Sequence, residues 1–157
     1  MTATPPVEVE YITDELCRIV GHGPGPHRLG LMPQLRRVCG ATALPPIQAG
    51  SMVASYVGAQ VLAIDEPICF DDLTLDPEIA KRCFLVLLKY EASHASAMNR
   101  RMTVIQLLGR YYGLETWRHG LERKFLHLLG EIIYSSFNPD YQSPKPLPAA
   151  STKPSYA

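Results

Sequence analysis

The stretch from Thr103 to Ser135 constrains the fold more than any other part of the chain, because it predicts two consecutive amphipathic helices. In its first half, apolar residues recur every three or four positions, which is the period of an α-helix. These residues are Val104, Leu107, Leu108 and Tyr111. Gly113 follows them, and glycine often closes a helix because it accepts the left-handed backbone. The sequence therefore predicts a first helix that ends at Gly113.

The second half of the stretch keeps the same period over a longer run. Its apolar stripe consists of Trp117, Leu121, Phe125, Leu128 and Ile132. Glu115 and Thr116 supply the acidic and N-capping side chains that favour a helix start. Gly120 lies inside this predicted helix, where glycine costs about 1 kcal/mol relative to alanine. Two helices joined by a short turn containing glycine form either a helix-turn-helix or an ordinary helical hairpin.

Features near the turn favour the helix-turn-helix. Gly109 lies four residues before Gly113, where a small side chain lets two helices cross closely, and Leu114 can fill the gap between them. Cationic and hydrogen-bond-donating side chains gather at the start of the second helix, where base edges and phosphates are read. The predicted DNA contacts there are Thr116, Arg118, His119, Arg123 and Lys124.

Charge is distributed unevenly although the formal net charge is zero. Residues 1–79 carry ten acidic side chains and four arginines, so this half is acidic and the remainder is basic. Such asymmetry is expected when one end of a protein binds nucleic acid and the other binds a protein partner. It is also expected when the two halves attract each other within one fold.

The rest of the chain predicts further helices and one fold class. Helices are expected from Thr13 to Val20, near Pro33 to Cys39, from a Ser51 cap to Ile64, and after the Asp76-Pro77-Glu78 start signal. Pro45 and Pro46 indicate extended backbone, and the ICFDDLTL segment is either a short extended piece or a turn. We therefore predict an all-α single domain over 1–136, with about five or six helices and a helix-turn-helix near 103–135. Residues 137–157 contain five prolines and predict a disordered tail.

Several functional classes are not indicated by the sequence. It has no GxSxG, HExxH or phosphate-loop motif, so an enzyme is the least expected class and no cofactor is expected. The cysteines form no CxxC pair, which argues against a metal site; they are Cys17, Cys39, Cys69 and Cys83. No apolar run approaches the roughly 20 residues of a membrane span, and the N-terminus lacks the features of a secretory signal. A cytoplasmic protein without a membrane partner is expected.

Residues 76–135 resemble the sigma region 4-like helix-turn-helix of phage late-gene antitermination proteins of the Q type. The resemblance is carried by a helix beginning DPE with an LLKY end, a loop, and the run LLGRYYGLETWRHGLERKFLHLL. It implies a regulator in the host cytoplasm that binds double-stranded DNA near a late promoter. The regulator then loads onto RNA polymerase, with sigma factor as a further partner, and promotes terminator read-through. The resemblance places Arg118, His119 and Arg123 on the DNA-reading helix and makes Arg100, Arg101 and Arg110 phosphate contacts.

The alternative function is a non-enzymatic helical adaptor that binds a host protein through its acidic N-terminal half. Salt dependence separates the two hypotheses, because phosphate binding by several cations weakens steeply with added salt. A protein adaptor need not bind DNA at all. A homodimer is compatible with both functions.

Overall fold

The computed structural model describes residues 6–141 and is mostly helical, which confirms the predicted helical character. A small two-stranded sheet is the exception to the predicted all-α class. Along the chain the elements are α1 (Val9–His22), α2 (Pro26–Leu29), α3 (Pro33–Val38), α4 (Pro46–Leu62), β1 (Ile68–Phe70), β2 (Leu73–Leu75), α5 (Pro77–Leu87), α6 (Ala97–Leu108), α7 (Leu114–Thr116) and α8 (Glu122–Phe137). Most of the predicted tail, residues 142–157, lies outside the described residues.

The core is built by helix pairs that meet around an aromatic cluster. Helix α1 packs against α8, α2 against α4, and α5 against α6. At the centre, Phe84 and Phe125 stack with their ring centroids 4.3 Å apart. Phe70 of β1 packs edge-on against Phe125 at 5.2 Å, an arrangement that aromatic quadrupoles favour. Trp117 is fully buried beside them, so the start of the α8 region is anchored in the core.

Two predicted helix starts are confirmed by their local chemistry. Asp76 caps α5, because its carboxylate accepts a hydrogen bond from the backbone N–H of Glu78 at 3.0 Å. Proline at the first helical position loses no hydrogen bond, and Pro33 starts α3 in this way. Cys83 on α5 is buried, and burial raises the pKa of its thiol to about 12.

Two other helices begin earlier than predicted. Helix α4 starts at Pro46 rather than at Ser51, because Pro45 takes the extended cap conformation and Pro46 the first helical position. The prediction that both prolines exclude a helix is therefore wrong for Pro46. Helix α1 starts at Val9, and Thr13 is buried inside it with its hydroxyl donating to the Val9 carbonyl at 2.8 Å.

The ICFDDLTL segment, for which sequence left two alternatives, is a β-hairpin. Ile68 pairs with Leu75 and Phe70 pairs with Leu73 in antiparallel register. Between the strands lies a two-residue turn in which Asp71 has a positive φ of 56°. The buried side chains of Phe70 and Leu75 hold the hairpin against the helical core.

The first helix of the predicted hairpin occupies different residues from those expected. Helix α6 begins after Ser96, whose hydroxyl accepts from the backbone N–H of Asn99 at 3.1 Å, and it ends at Leu108. Gly109 supplies the left-handed closing residue with φ 75°, whereas Gly113 has φ −69° and precedes α7. A Cβ at Gly109 would meet nothing within 4 Å, so this glycine does not serve a close helix crossing. The roles predicted for the two glycines are thus wrong.

The predicted second helix is interrupted. After the three residues of α7, the backbone widens through Trp117–Leu121 and leaves helical geometry at His119 and Gly120. Helix α8 then continues to Phe137. Because α6 packs against α5 whereas α8 packs against α1, the close helix pair of a helix-turn-helix is not confirmed.

No helix among residues 6–141 is long and apolar enough to cross a membrane.

Candidate nucleic-acid interface

Arg100 is a buried structural residue rather than a surface cation. Its side chain is 2% exposed and donates to the carbonyl oxygens of Leu87 at 2.7 Å and Val20 at 2.8 Å. A third bond, at 3.3 Å, reaches the carbonyl of Ala95. Burial lowers the pKa of this guanidinium. The predicted phosphate contact at Arg100 is corrected, because this side chain joins the ends of α1 and α5 to the start of α6.

Arg101 is paired within the protein. Its guanidinium donates to both carboxylate oxygens of Glu122, at 2.7 and 3.1 Å. Glu122 is nearly buried and also accepts from the indole N–H of Trp117 at 2.9 Å. This three-residue group, Arg101, Trp117 and Glu122, fastens the start of α8 to α6 and fixes the widened turn between them.

Arg110 is held by the β-hairpin. Its Nη1 lies 2.5 Å from Oδ1 of Asp72, and the hydroxyl of Tyr112 donates to Asp71 at 3.1 Å. The two aspartates of the hairpin turn therefore clamp the connection between α6 and α7. Tyr111 lies between the two clamped residues and is 93% exposed.

Arg123 is paired with two carboxylates of α1. Its guanidinium donates to Glu10 at 2.9 Å and to Asp14 at 2.7 Å. The bond from Arg123 is the main reason that the pKa of Glu10 lies below its ordinary value, and His127, 3.1 Å from Glu10, lowers it further. Arg123 therefore joins α8 to α1 and is neutralised in doing so.

The remaining predicted contacts lie on the surface at the start of α8. Arg118 is 51% exposed, and its Nη1 is 3.8 Å from Glu115, a distance that leaves it only weakly paired. His119 is 77% exposed and lies 3.1 Å from the same carboxylate. Thr116 and Lys124 are exposed, and Lys124 has no ion-pair or hydrogen-bond partner within residues 6–141.

A second group of basic side chains, which was not predicted as a site from the sequence, lies at the end of α1 and in α2. Arg18, His22 and Arg28 line one cleft of about 180 Å³ together with Leu31 and Met32. No carboxylate lines this cleft, and neither arginine has an ion-pair partner among the described residues. The available sequence signal was the spacing of four residues between Arg18 and His22, which places both on one helical face.

Ion pairs between α1 and α8 show how the helices that carry the two groups of basic side chains are arranged. Glu10 of α1 pairs with His127 of α8. One turn later in α1, Asp14 pairs with Arg123, which lies one turn earlier in α8. The two helices are therefore antiparallel, and the start of α8 lies beside the middle of α1, so Arg18 and His22 lie on the turns of α1 that extend past it. We call the two groups together the basic end; they are Arg18, His22, Arg28, Arg118, His119 and Lys124.

The charge asymmetry of the sequence is partly neutralised inside the fold. The ion pairs Arg110–Asp72, Arg123–Glu10 and Arg123–Asp14 each join the acidic half to the basic half. Of the two explanations for the asymmetry, attraction between the halves is thus observed directly. The side chains of the basic end take no part in these three ion pairs.

The chain matches no known protein in the three comparisons made with it, against protein-family models, curated proteins and solved structures. Within residues 6–141, no group of three or more His, Cys, Asp or Glu side chains is arranged to hold a metal ion.

Proposed function

We propose that the protein is a DNA-binding transcription regulator that contacts the phosphate backbone through its basic end. The observation that carries the proposal is the cleft lined by Arg18, His22 and Arg28, where two arginines and a histidine converge and no carboxylate lines the cleft. Neutralising such a group with phosphate releases counterions from DNA, which is the main source of sequence-independent affinity.

The start of α8 extends this surface and supplies the side chains for reading bases. Arg118 and His119 project where the backbone widens around Gly120, so they lie outside a regular helical surface. Arginine pairs with guanine edges in the major groove, and Lys124 suits a phosphate. We assign base contacts to Arg118 and His119 and backbone contacts to Arg18, Arg28 and Lys124 on these chemical grounds.

The step in transcription is proposed from the sequence resemblance alone. Q-type antitermination would require RNA polymerase, and sigma factor, as protein partners in addition to double-stranded DNA. The helix-turn-helix form of recognition also belongs to this proposal. The DNA-binding surface itself does not depend on the resemblance, because it is argued from the exposed basic side chains of the basic end.

The adaptor hypothesis is less favoured by the distribution of acidic side chains. Glu10, Asp14 and Asp72 are each paired with an arginine of the same chain. Glu15 is buried, and its carboxylate accepts backbone N–H groups of α3 at 2.8 Å. Four acids of the N-terminal half are thus already used within the fold.

The test is a DNA titration of three full-length variants at two salt concentrations. Fragments of the protein's own genomic neighbourhood are labelled and titrated with wild type, Arg18→Ala/Arg28→Ala and Arg118→Ala/Lys124→Ala. The matched control is Lys81→Ala/Arg82→Ala, which removes two positive charges from α5, away from the basic end. We expect Arg18→Ala/Arg28→Ala to lower the slope of log affinity against log salt by about 2, because each lost phosphate contact contributes about 0.9. Arg118→Ala/Lys124→Ala should lower it by about 1, because only Lys124 of that pair is assigned to a phosphate.

The control variant shows whether DNA affinity depends on the basic end or only on the net charge of the protein. If Lys81→Ala/Arg82→Ala weakens binding as much as the basic-end variants do, the proposed surface is wrong. If the wild type binds no fragment at either salt concentration, DNA binding is rejected and the adaptor hypothesis leads.

A further inference from the structure

A cleft on a different face runs between α8 and the segment that leads into β1. It consists of two adjoining cavities of about 290 and 420 Å³ that share Pro67, Ile68 and Ile132. Ile64 extends the apolar wall at one end and Leu128 at the other. The cleft is therefore long, apolar and open, a form suited to an extended peptide rather than to a compact ligand.

The cleft also has a charge of one sign. Asp65 and Glu66 line one cavity and Glu131 lines the other, and no cationic side chain lines either cavity. Asp65 and Glu66 have no ion-pair partner among the described residues. A ligand that pairs with this cleft should combine apolar groups with positive charge.

The direction of the chain after α8 leads to this cleft. Residues 138–141 reverse the chain, and the ring of Tyr141 packs edge-on against Tyr134 with centroids 4.8 Å apart. The hydroxyl of Tyr141 lies 3.4 Å from the carboxylate of Glu131, a residue of the cleft wall. The remaining 16 residues, 142–157, thus start beside the cleft, and four residues of chain can span about 13 Å.

The sequence of that remaining segment has the composition that the cleft requires. Residues 142–157 contain Lys145 and Lys153 and no acidic side chain. Their PKPLP run, 144–148, alternates proline with one lysine and one leucine. Proline-rich segments bind apolar grooves at low entropic cost, because their backbone is restricted before binding.

We propose that the cleft binds the chain's own C-terminal segment, with the PKPLP run on the apolar wall and Lys145 paired with the acidic rim. Leu147 and the flanking prolines contact Ile68 and Ile132. Lys145 pairs with the carboxylates of Asp65 and Glu66. Binding of the segment covers the thiol of Cys69, which lines the cleft and is otherwise exposed.

The test measures how fast Cys69 reacts with iodoacetamide in the full-length chain. Mass spectrometry quantifies modification of the Cys69 peptide, and Cys39, which is half-buried elsewhere, serves as the internal reference. The variant Lys145→Gln/Leu147→Ser removes the proposed contacts, and Lys153→Gln/Ala150→Ser makes matched changes outside the PKPLP run. If the segment occupies the cleft about three-quarters of the time, the first variant should react about fourfold faster than wild type, because reaction requires the open fraction.

Three outcomes would overturn the inference. One is an unchanged Cys69 rate in Lys145→Gln/Leu147→Ser, and another is an equal rise in the matched variant. The third is a Cys69 rate in wild type that falls as protein concentration rises, because protection would then come from a second molecule. Protection that is independent of concentration and is lost only in the first variant supports the inference. None of these outcomes depends on whether the basic end binds DNA.

Discussion

A buried guanidinium is stable in a protein only when its N–H groups are satisfied, and Arg100 meets this condition through backbone carbonyls. It contacts Val20 at the end of α1, Leu87 at the end of α5, and Ala95 before α6. Carbonyls at helix ends carry partial negative charge, so three chain segments share one cation. Arg100, which was predicted from the sequence to contact phosphate, therefore holds the ends of α1 and α5 and the start of α6 together.

Replacing Arg100 with Met should cost about 3–5 kcal/mol of unfolding free energy, because buried carbonyls lose their donors and methionine cannot replace them. Urea unfolding followed by the fluorescence of Trp117, the single tryptophan, measures the change. The comparison variant Arg118→Met, at an exposed position, should change stability by less than about 0.5 kcal/mol. A loss below about 1 kcal/mol for Arg100→Met would contradict the structural role.

At the scale of single elements, the sequence predicted helices well where capping chemistry was local. Asp76 and Pro33 mark helix starts through contacts within a few residues, and both starts are confirmed. The end of α6 was misplaced because Gly109 and Gly113 carry the same local signal. Gly109 takes the left-handed backbone, and the next residue, Arg110, pairs with Asp72 of the hairpin, a contact between residues distant in sequence.

The same limit applies to the candidate site. Exposed Arg118, His119 and Lys124 were identified from the sequence, because the start of a helix is a local feature. The pairing of Arg101 with Glu122 and of Arg123 with Glu10 was not foreseen. These contacts join residues 21 and 113 positions apart, and periodicity within one helix contains no information about them.

The widened turn before α8 gives Gly120 a role opposite to the one expected from helix propensity. Its φ of 152° is rarely available to residues with a side chain, although a Cβ would meet nothing within 4 Å. Gly120→Ala should therefore destabilise the protein by about 1–3 kcal/mol through backbone strain. In α1, Gly21 has equal space without a positive φ, so Gly21→Ala should stabilise by about 0.5–1 kcal/mol.

Thermal unfolding of the two variants measures these opposite signs. Equal stability changes in Gly120→Ala and Gly21→Ala would show that Trp117–Leu121 is an ordinary helical turn in solution. Opposite signs would instead establish that the interruption is built into the backbone and sets the orientation of Arg118 and His119.

For the whole molecule, the attraction between the acidic and basic halves makes stability depend on pH. The carboxyl of Glu10 has its pKa lowered from 4.5, mainly by the bond from Arg123. A carboxyl whose pKa is lowered in the folded state stabilises the protein fully when the pH is above the ordinary pKa of the group. This contribution is lost as the pH falls through the lowered pKa. At neutral pH the contribution should be below about 1 kcal/mol, because the pair is largely solvent-exposed.

Urea unfolding of wild type and Glu10→Gln at neutral pH and at successively lower pH tests this interaction between the halves. Wild type should be more stable at neutral pH, and the difference should disappear as acidification passes below 4.5, because protonated Glu10 no longer pairs with Arg123. Glu91→Gln, which changes an exposed carboxylate without an ion-pair partner among the described residues, should differ little from wild type throughout. If the difference in unfolding free energy between wild type and Glu10→Gln persists at the lowest pH, the stabilisation comes from packing of the Glu10 side chain and not from its charge.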